Sequence, residues 1–258
     1  RLTIALREGL RIEQIVAQLG DTLPAEIEPD AFYALVSEPP DTLREDHPWM
    51  SVIPEGRSLE GFLGSGVFEV DATIDADGFA RVLLDDWERT IGDIYIEQAE
   101  EAGVDFYELM TLASIVEKEA VLDEERARIA GVYQNRLDGK LNGNRLINAD
   151  PSVIYANDTM QLRDIELEEW PAFSFWGLIG VPSLNDFAVS EDLQGYQTYQ
   201  VQGLPPGPIS SPTARTVEAT LEPEVDTDLL FFVACGEGTH RFATSLDEHN
   251  TNVAECQG

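Results

Sequence analysis

Positive charge is scarce in this chain: 16 Lys and Arg stand against 49 Asp and Glu in 258 residues, a formal charge of -33. A phosphate backbone is held chiefly by Lys and Arg, so such a surface repels nucleic acid and anionic lipid head groups. This counts against a nucleic-acid partner but not against a sugar polymer, which is held by hydrogen bonds and stacking. Histidine is rarer still, with only His47, His240 and His249. Neither they nor the cysteines have metal-site spacing, so no metal or other cofactor is expected. The chain lacks a Gly-rich phosphate loop and a G-x-S-x-G elbow, which leaves a nucleotide enzyme or serine hydrolase without support. No apolar run approaches the ~18 residues that cross a bilayer, and no signal-peptide pattern is present. The chain opens at Arg1 rather than at a methionine, which points to a fragment or a mature form, with any membrane anchor expected upstream. The two cysteines, Cys235 and Cys256, read equally as a pair in an oxidising compartment or as two free thiols.

What is present is ordinary globular composition: with 43% hydrophobic and 25% charged residues, disorder is not expected. Residues 2–6 read as a strand. After a turn at Glu8-Gly9, Ile12, Ile15, Val16 and Leu19 fall at helical spacing and give one apolar face. The opening is echoed later, Glu8-Gly9-Leu10-Arg11-Ile12-Glu13 by Glu55-Gly56-Arg57-Ser58-Leu59-Glu60. With strand-like residues 51–53 before the second copy, this suggests a repeated βα element. Phe79, Val82, Leu83, Trp87, Ile91 and Ile94 form a helical stripe, and a domain boundary is placed near Gly103. Asp105 and Glu108 have capping-box spacing ahead of a helix carrying Leu109, Leu112, Ala113 and Val116, broadened by Met110 and Ile115. A further helix from about Asp123 buries Ile129, Val132, Tyr133 and Leu137 and stops at Asp138-Gly139. Residues 141–168 read as loop-rich. Prolines and glycines make 203–208 a rigid turn, and a helix follows at 213–221. Residues 229–234 read as a fully buried strand, with 240–244 as its hairpin partner across Gly236 and Gly238.

Two segments carry candidate chemistry. In Leu112-Ala113-Ser114-Ile115-Val116-Glu117-Lys118-Glu119, the two glutamates lie about 200° apart around a helix. One pointing to solvent leaves the other leaning towards the protein. A carboxyl at the edge of an apolar pocket is poorly solvated as an anion and suits a general acid; the alternative is a solvated helix end. Segment 169–186, with Trp170, Phe173, Phe175 and Trp176, reads either as a loop folded over its own core or as a platform for sugar rings or another protein.

The helix ending in Glu117-Lys118-Glu119 resembles the active-site helix of the endolytic murein transglycosylases, the MltG (YceG-like) family. Further blocks follow in family order: Asn135-Arg136-Leu137, Asp150-Pro151-Ser152, Tyr196-Gln197-Thr198-Tyr199, Gly203-Leu204-Pro205-Pro206-Gly207-Pro208, and Gly238-Thr239-His240-Arg241-Phe242 with His249-Asn250. The resemblance implies an α+β fold in two parts. Residues 1–103 would form a small LysM-like module plus a connecting helix, and residues 104–258 a catalytic domain of helices around a short sheet. It also implies cleavage of the β-1,4 bond between N-acetylmuramic acid and N-acetylglucosamine without water, leaving 1,6-anhydro ends. By this resemblance Glu119 is the acid/base, with Glu117 as fallback. Asn135, Arg136, Asp150, Tyr199, Pro205, His240, Phe242 and His249 are the expected substrate-binding residues. Expected partners are peptidoglycan glycan strands and, through the aromatic segment, proteins of cell-wall synthesis, at the extracytoplasmic face of a bacterial membrane. An alternative is a non-catalytic peptidoglycan-binding or scaffold protein. Departures from the family pattern occur at Asn148-Ala149-Asp150 and at Gln194-Gly195-Tyr196-Gln197.

Overall fold

The computed structural model describes residues 1–22, 27–177 and 183–257. Its described residues form a mostly helical domain with two small two-stranded antiparallel sheets. Strand β1 (Leu2–Leu6) pairs with β2 (Gly66–Val70), Leu2 opposite Val70 and Leu6 opposite Gly66. Alternate residues Ile4, Leu6, Phe68 and Val70 point into the core, the period-two pattern of a half-covered sheet. Helices α1 (Ile12–Thr22), α2 (Pro29–Ser37) and α3 (Asp41–Asp46) lie between these strands. The apolar face of α1 is buried at Ile12, Ile15, Val16 and Leu19, as its spacing predicts.

The second copy of the opening motif does not form a βα unit. Residues 51 and 52 end a 3-10 turn that begins at Pro48, and no helix follows Glu55-Gly56. Both oxygens of Glu60 accept from the backbone N of Ile12 at 3.2 Å. The glutamate of the second copy thus satisfies a free N–H at the start of α1, one of the donors every helix leaves unpaired there.

Helix α4 (Ala76–Trp87) runs through a π turn (Glu88–Gly92) into α5 (Asp93–Ala102). A π turn inserts a residue and rotates everything after it. Burial therefore steps from Trp87 to Ile91, Tyr95 and Ala99, while Ile94, expected in the stripe, is 44% exposed. Helix α6 (Phe106–Glu119) starts where Asp105 accepts from the N of Glu108 at 2.9 Å. It is buried on all sides from Leu109 to Val116, so it is the central helix. Leu109, Met110 and Ala113 join the same apolar cluster as Ile4, Phe32 and Phe62; the core runs across the boundary placed near Gly103.

Helix α7 (Arg126–Leu137) follows a 3-10 turn at Asp123–Glu125 and stops at Gly139, whose φ of 76° suits a residue without a Cβ,. The region read as loop-rich contains α8 (Asp150–Leu162). It is buried at Pro151, Ser152, Val153, Ile154, Ala156, Asn157 and Asp158. With polar and apolar residues buried alike, no single 3.6-residue stripe marks it in the sequence. After α9 (Ala214–Leu221) come β3 (Phe231–Ala234), β4 (His240–Ala243) and α10 (Leu246–Gln257). Strand β3 is not fully buried: Val233 is covered, Phe231 and Phe232 are half-buried and Ala234 is exposed, because among the described residues the second sheet has two strands.

Cys235 and Cys256 are disulfide-bonded, which pins the last turn of α10 to the end of β3. The bond closes a loop with a sequence separation of 21. Replacing both cysteines by serine is expected to lower stability by ~3 kcal/mol through the freer unfolded chain. An unchanged urea midpoint would refute this.

The aromatic segment packs on the molecule itself. Trp170 is buried against Tyr33 with ring centroids 5.0 Å apart. The Trp176 backbone N donates to Asp158 at 2.7 Å and its indole N–H to Gln14 at 3.0 Å. The Lys118 ammonium sits 4.2 Å from the Trp176 ring centroid. Residues 178–182 of this segment lie outside the described residues.

Candidate active site

Glu119 is the last residue of α6, and Ala120 turns the chain out of the helix with ψ of 122°. Its half-buried carboxyl forms part of the wall of a cleft of about 580 Å³. The Tyr133 hydroxyl, one residue from the middle of α7, donates to Glu119 Oε1 at 2.7 Å. Burial raises the Glu119 carboxyl from its ordinary range to about 7; the Tyr133 hydrogen bond opposes this, Asp150 adds to it and Arg136 opposes it. Its place at a helix C-terminus works in the same direction as burial, because the exposed carbonyls there disfavour an anion. The result is a carboxyl that holds its proton near neutrality and faces a groove.

Glu117 turns the other way, yet into the protein rather than into solvent. Its Oε2 accepts from the Thr213 backbone N at 3.0 Å, from Thr213 Oγ1 at 2.9 Å and from Thr216 Oγ1, with Arg126 at 3.5 Å. Those bonds join the end of α6 to the start of α9, and Glu117 does not line the cleft.

The other expected site residues divide. Arg136, Asp150, Tyr199, His240 and His249 line the cleft with Glu119. Asp150 opens α8 and accepts from the Tyr199 hydroxyl. That pairing is held by Thr198 Oγ1, which accepts from the Ala149 N at 2.9 Å and lies 2.9 Å from Ser152 Oγ. His240 Nδ1 is 2.8 Å from Glu125 Oε2, and its backbone N donates to Glu125 Oε1 at 3.1 Å. His249 stacks on Phe231 with centroids 5.4 Å apart. Burial and the nearby Arg136 hold its pKa below the ordinary histidine value. Arg136 donates to the Leu230 carbonyl at 2.7 Å and to that of Ile147; it braces β3 as well as facing the groove.

Asn135, Pro205 and Phe242 do not line the cleft. Asn135 is buried and donates to the Leu229 carbonyl at 3.0 Å. Phe242 packs on Phe232 and under Arg128. Pro205 is buried in a turn that closes on α6, where the Ile209 N donates to Ser114 Oγ at 3.0 Å. Sequence reasoning missed Tyr133, Asn148 and Asn185, which line the cleft, and Glu125, which holds His240. Tyr133 carried one available signal: a tyrosine inside an apolar stripe buries a hydroxyl that must find a partner. Asn148 Oδ1 and His249 Nδ1, both on the cleft wall, are buried and have no hydrogen-bond partner among the described residues. Such groups cost free energy unless a ligand or water satisfies them.

The arrangement offers one protonated carboxyl, a second carboxyl at Asp150, two imidazoles and aromatic faces in one groove, which suits proton transfer to an oxygen of a polar chain-like substrate. Among the described residues no helix is long and apolar enough to cross a membrane.

Comparison with known proteins places the chain. The YceG-like family model matches residues 1–255. The chain is 27% identical over 267 residues to the endolytic murein transglycosylase of Streptococcus pneumoniae strain R6, covering 98% of this chain and 44% of that protein. It is 27% identical to the protein of the same name from Bacillus subtilis strain 168, covering 96% of this chain and 63% of the relative. The chain thus spans about half the length of these relatives. The crystal structure of a yceG-like protein from Listeria monocytogenes superposes with a TM-score of 0.74 at 24% identity, covering 97% of this chain and 76% of that one. That likeness bears on the fold alone.

Proposed function

This chain belongs to the YceG-like family, and on that premise we propose that it is an endolytic lytic transglycosylase of peptidoglycan with Glu119 as its acid and base. The observation that carries the reading is a carboxyl held protonated to about pH 7 on the wall of an open groove. The name shared by the pneumococcal and Bacillus relatives supports the substrate class. In the first step Glu119 gives its proton to the glycosidic oxygen as the C1–O bond of the muramic residue breaks. In the second, the C6 hydroxyl of the same residue bonds to C1 and its proton passes to the Glu119 carboxylate. The acid is regenerated, no water is consumed, and a 1,6-anhydro end remains. Arg136, Asp150, Tyr199, His240 and His249 would hold acetamido and hydroxyl groups along the groove.

Residues 1–103 are read as a LysM-like module with a connecting helix and 104–258 as the catalytic part. The antiparallel β1–β2 pair with α1 and α2 between its strands supports the first assignment. The disulfide supports an oxidising, extracytoplasmic setting,. Digestion of purified peptidoglycan followed by mass spectrometry of the fragments tests the reaction. Anhydro-muramic ends are expected. Hydrated reducing ends would make the protein a hydrolase, with Asp150 as the second carboxyl. Glycan binding with no cleavage would make it a scaffold.

A further inference from the structure

We propose that Tyr133 is the positioning residue for Glu119: by occupying Oε1, it leaves Oε2 as the oxygen that carries and exchanges the proton, and it steadies the carboxylate between the two steps. The inference rests on the reading of Glu119 as the acid/base. Its geometry is a 2.7 Å hydrogen bond from a buried phenol whose ring is fixed edge-on against Phe232, centroids 5.6 Å apart at 90°. Among the described residues no hydrogen bond reaches Oε2. Burial, reinforced by Glu119, holds the Tyr133 hydroxyl protonated far above neutral pH. It therefore remains a donor to Oε1 throughout the titration of Glu119, and a carboxyl accepts best through its carbonyl oxygen, which favours the acid proton on Oε2.

The donor also acts on the energy of the two forms. Burial favours the neutral carboxyl, whereas the Tyr133 bond favours the anion, and the anion is needed to accept the C6 proton. A hydrogen bond to a charged group is roughly twice as strong as one between neutral partners, so this bond tightens just when Glu119 has given up its proton. Tyr133 thereby keeps the carboxyl near the operating pH, where one group serves best as both acid and base. Other groups around the carboxyl are Asp150 from α8, Arg136 from α7, Tyr199, His240 from β4 and His249 from α10. Asp150 and Arg136 act on Glu119 in opposite directions, so the phenol sets the balance.

Tyr133→Phe keeps the ring and its contact with Phe232 and removes only the donor. The Glu119 titration is read directly by carboxyl-13C NMR, with Glu119→Gln identifying the resonance. Its midpoint is expected to rise by about one pH unit in Tyr133→Phe. The alkaline limb of kcat/KM for anhydro-end release should move up with it. At pH 7, kcat should fall about tenfold with KM within about twofold, as for an interaction made in the transition state. Should Tyr133→Phe fold poorly, fluorotyrosine labelling of the wild type makes the phenol a stronger donor without changing its shape. The Glu119 midpoint should then fall. An unmoved Glu119 midpoint in these proteins overturns the proposal. A moved midpoint in a protein that releases no anhydro ends upholds the Tyr133–Glu119 coupling and sinks the reaction assigned to Glu119.

Discussion

Glu119→Gln is expected to lower the release of anhydro ends from purified peptidoglycan by roughly 10³-fold, within the range that general acid–base groups contribute. The amide matches the carboxyl in shape and can still accept from Tyr133, but it has no acid proton to give and cannot hold the C6 proton. Binding to intact glycan should change little, since the rest of the groove is untouched. The wild type should show its kcat/KM falling as pH rises through about 7, because the protonated carboxyl starts the reaction and its pKa is raised to about 7 by burial. The same shift gives a stability readout. Between the ordinary carboxyl value near 4.5 and about 7, the unfolded chain releases the proton that the folded chain keeps. Folding stability is therefore lost as pH rises through that window. Glutamine has no such charge to bury, so at pH 8 the variant should melt higher than the wild type. A variant that melts lower and stays active would show that Glu119 is an ordinary solvated carboxylate.

Much of this was legible in the order of residues, and the parts that were not share a cause. Elements with one buried face or a capping residue announced themselves: α1 by Ile12, Ile15, Val16 and Leu19, and α6, though buried on all sides, by the Asp105 cap. Helix α8 did not, because Ser152, Asn157 and Asp158 are buried beside Val153 and Ala156. Ile94 was misplaced because a π turn leaves no trace in apolar spacing. In the site, the opposed directions of Glu117 and Glu119 follow from helix geometry. What Glu117 meets depends on residues almost a hundred positions away, Thr213 and Thr216, whereas Glu119 meets Tyr133 from the next helix. The family blocks are joined in space by small hydroxyls, with Ser114 fixing the 203–209 turn and Thr198 fixing the Asp150 loop. Nothing in a linear reading distinguishes such a brace from a ligand contact, which is why Asn135, Pro205 and Phe242 were grouped with the groove residues.

Arg11→Met is expected to destabilise the fold by ~3–5 kcal/mol, the typical cost of removing one partner from a buried ion pair. Arg11 is completely buried. Its Nε donates to Glu13 at 2.6 Å, its terminal nitrogens donate to the Tyr155 carbonyl at 3.2 Å and to Thr159 at 2.7 Å, and Asp158 lies 3.9 Å away. Burial works against its charge, but Glu13 and Tyr155 outweigh that and hold its pKa above the ordinary value. Methionine fills much of the volume and leaves the acids behind. Glu60 is already pushed up to about 8 by burial and Glu13, with Arg11 opposing. Asp158 is pushed up to about 6, again chiefly by burial. Without the guanidinium these carboxyls rise further, so the deficit grows as pH rises through about 6 and about 8, where the wild-type Asp158 and Glu60 ionise and those of the variant do not,. It should shrink as pH falls below that range. A second change, Glu13→Gln, should recover part of the loss, because neighbours in one network are not additive. Urea melts of wild type, Arg11→Met and the double variant at pH 5 and pH 8 read all three terms. The effect reaches the groove as well, since Arg11 ties α1 to the middle of α8, the helix that begins with Asp150. An equal deficit at both pH values would mean that lost packing, and not an uncompensated buried charge, is what Arg11 prevents.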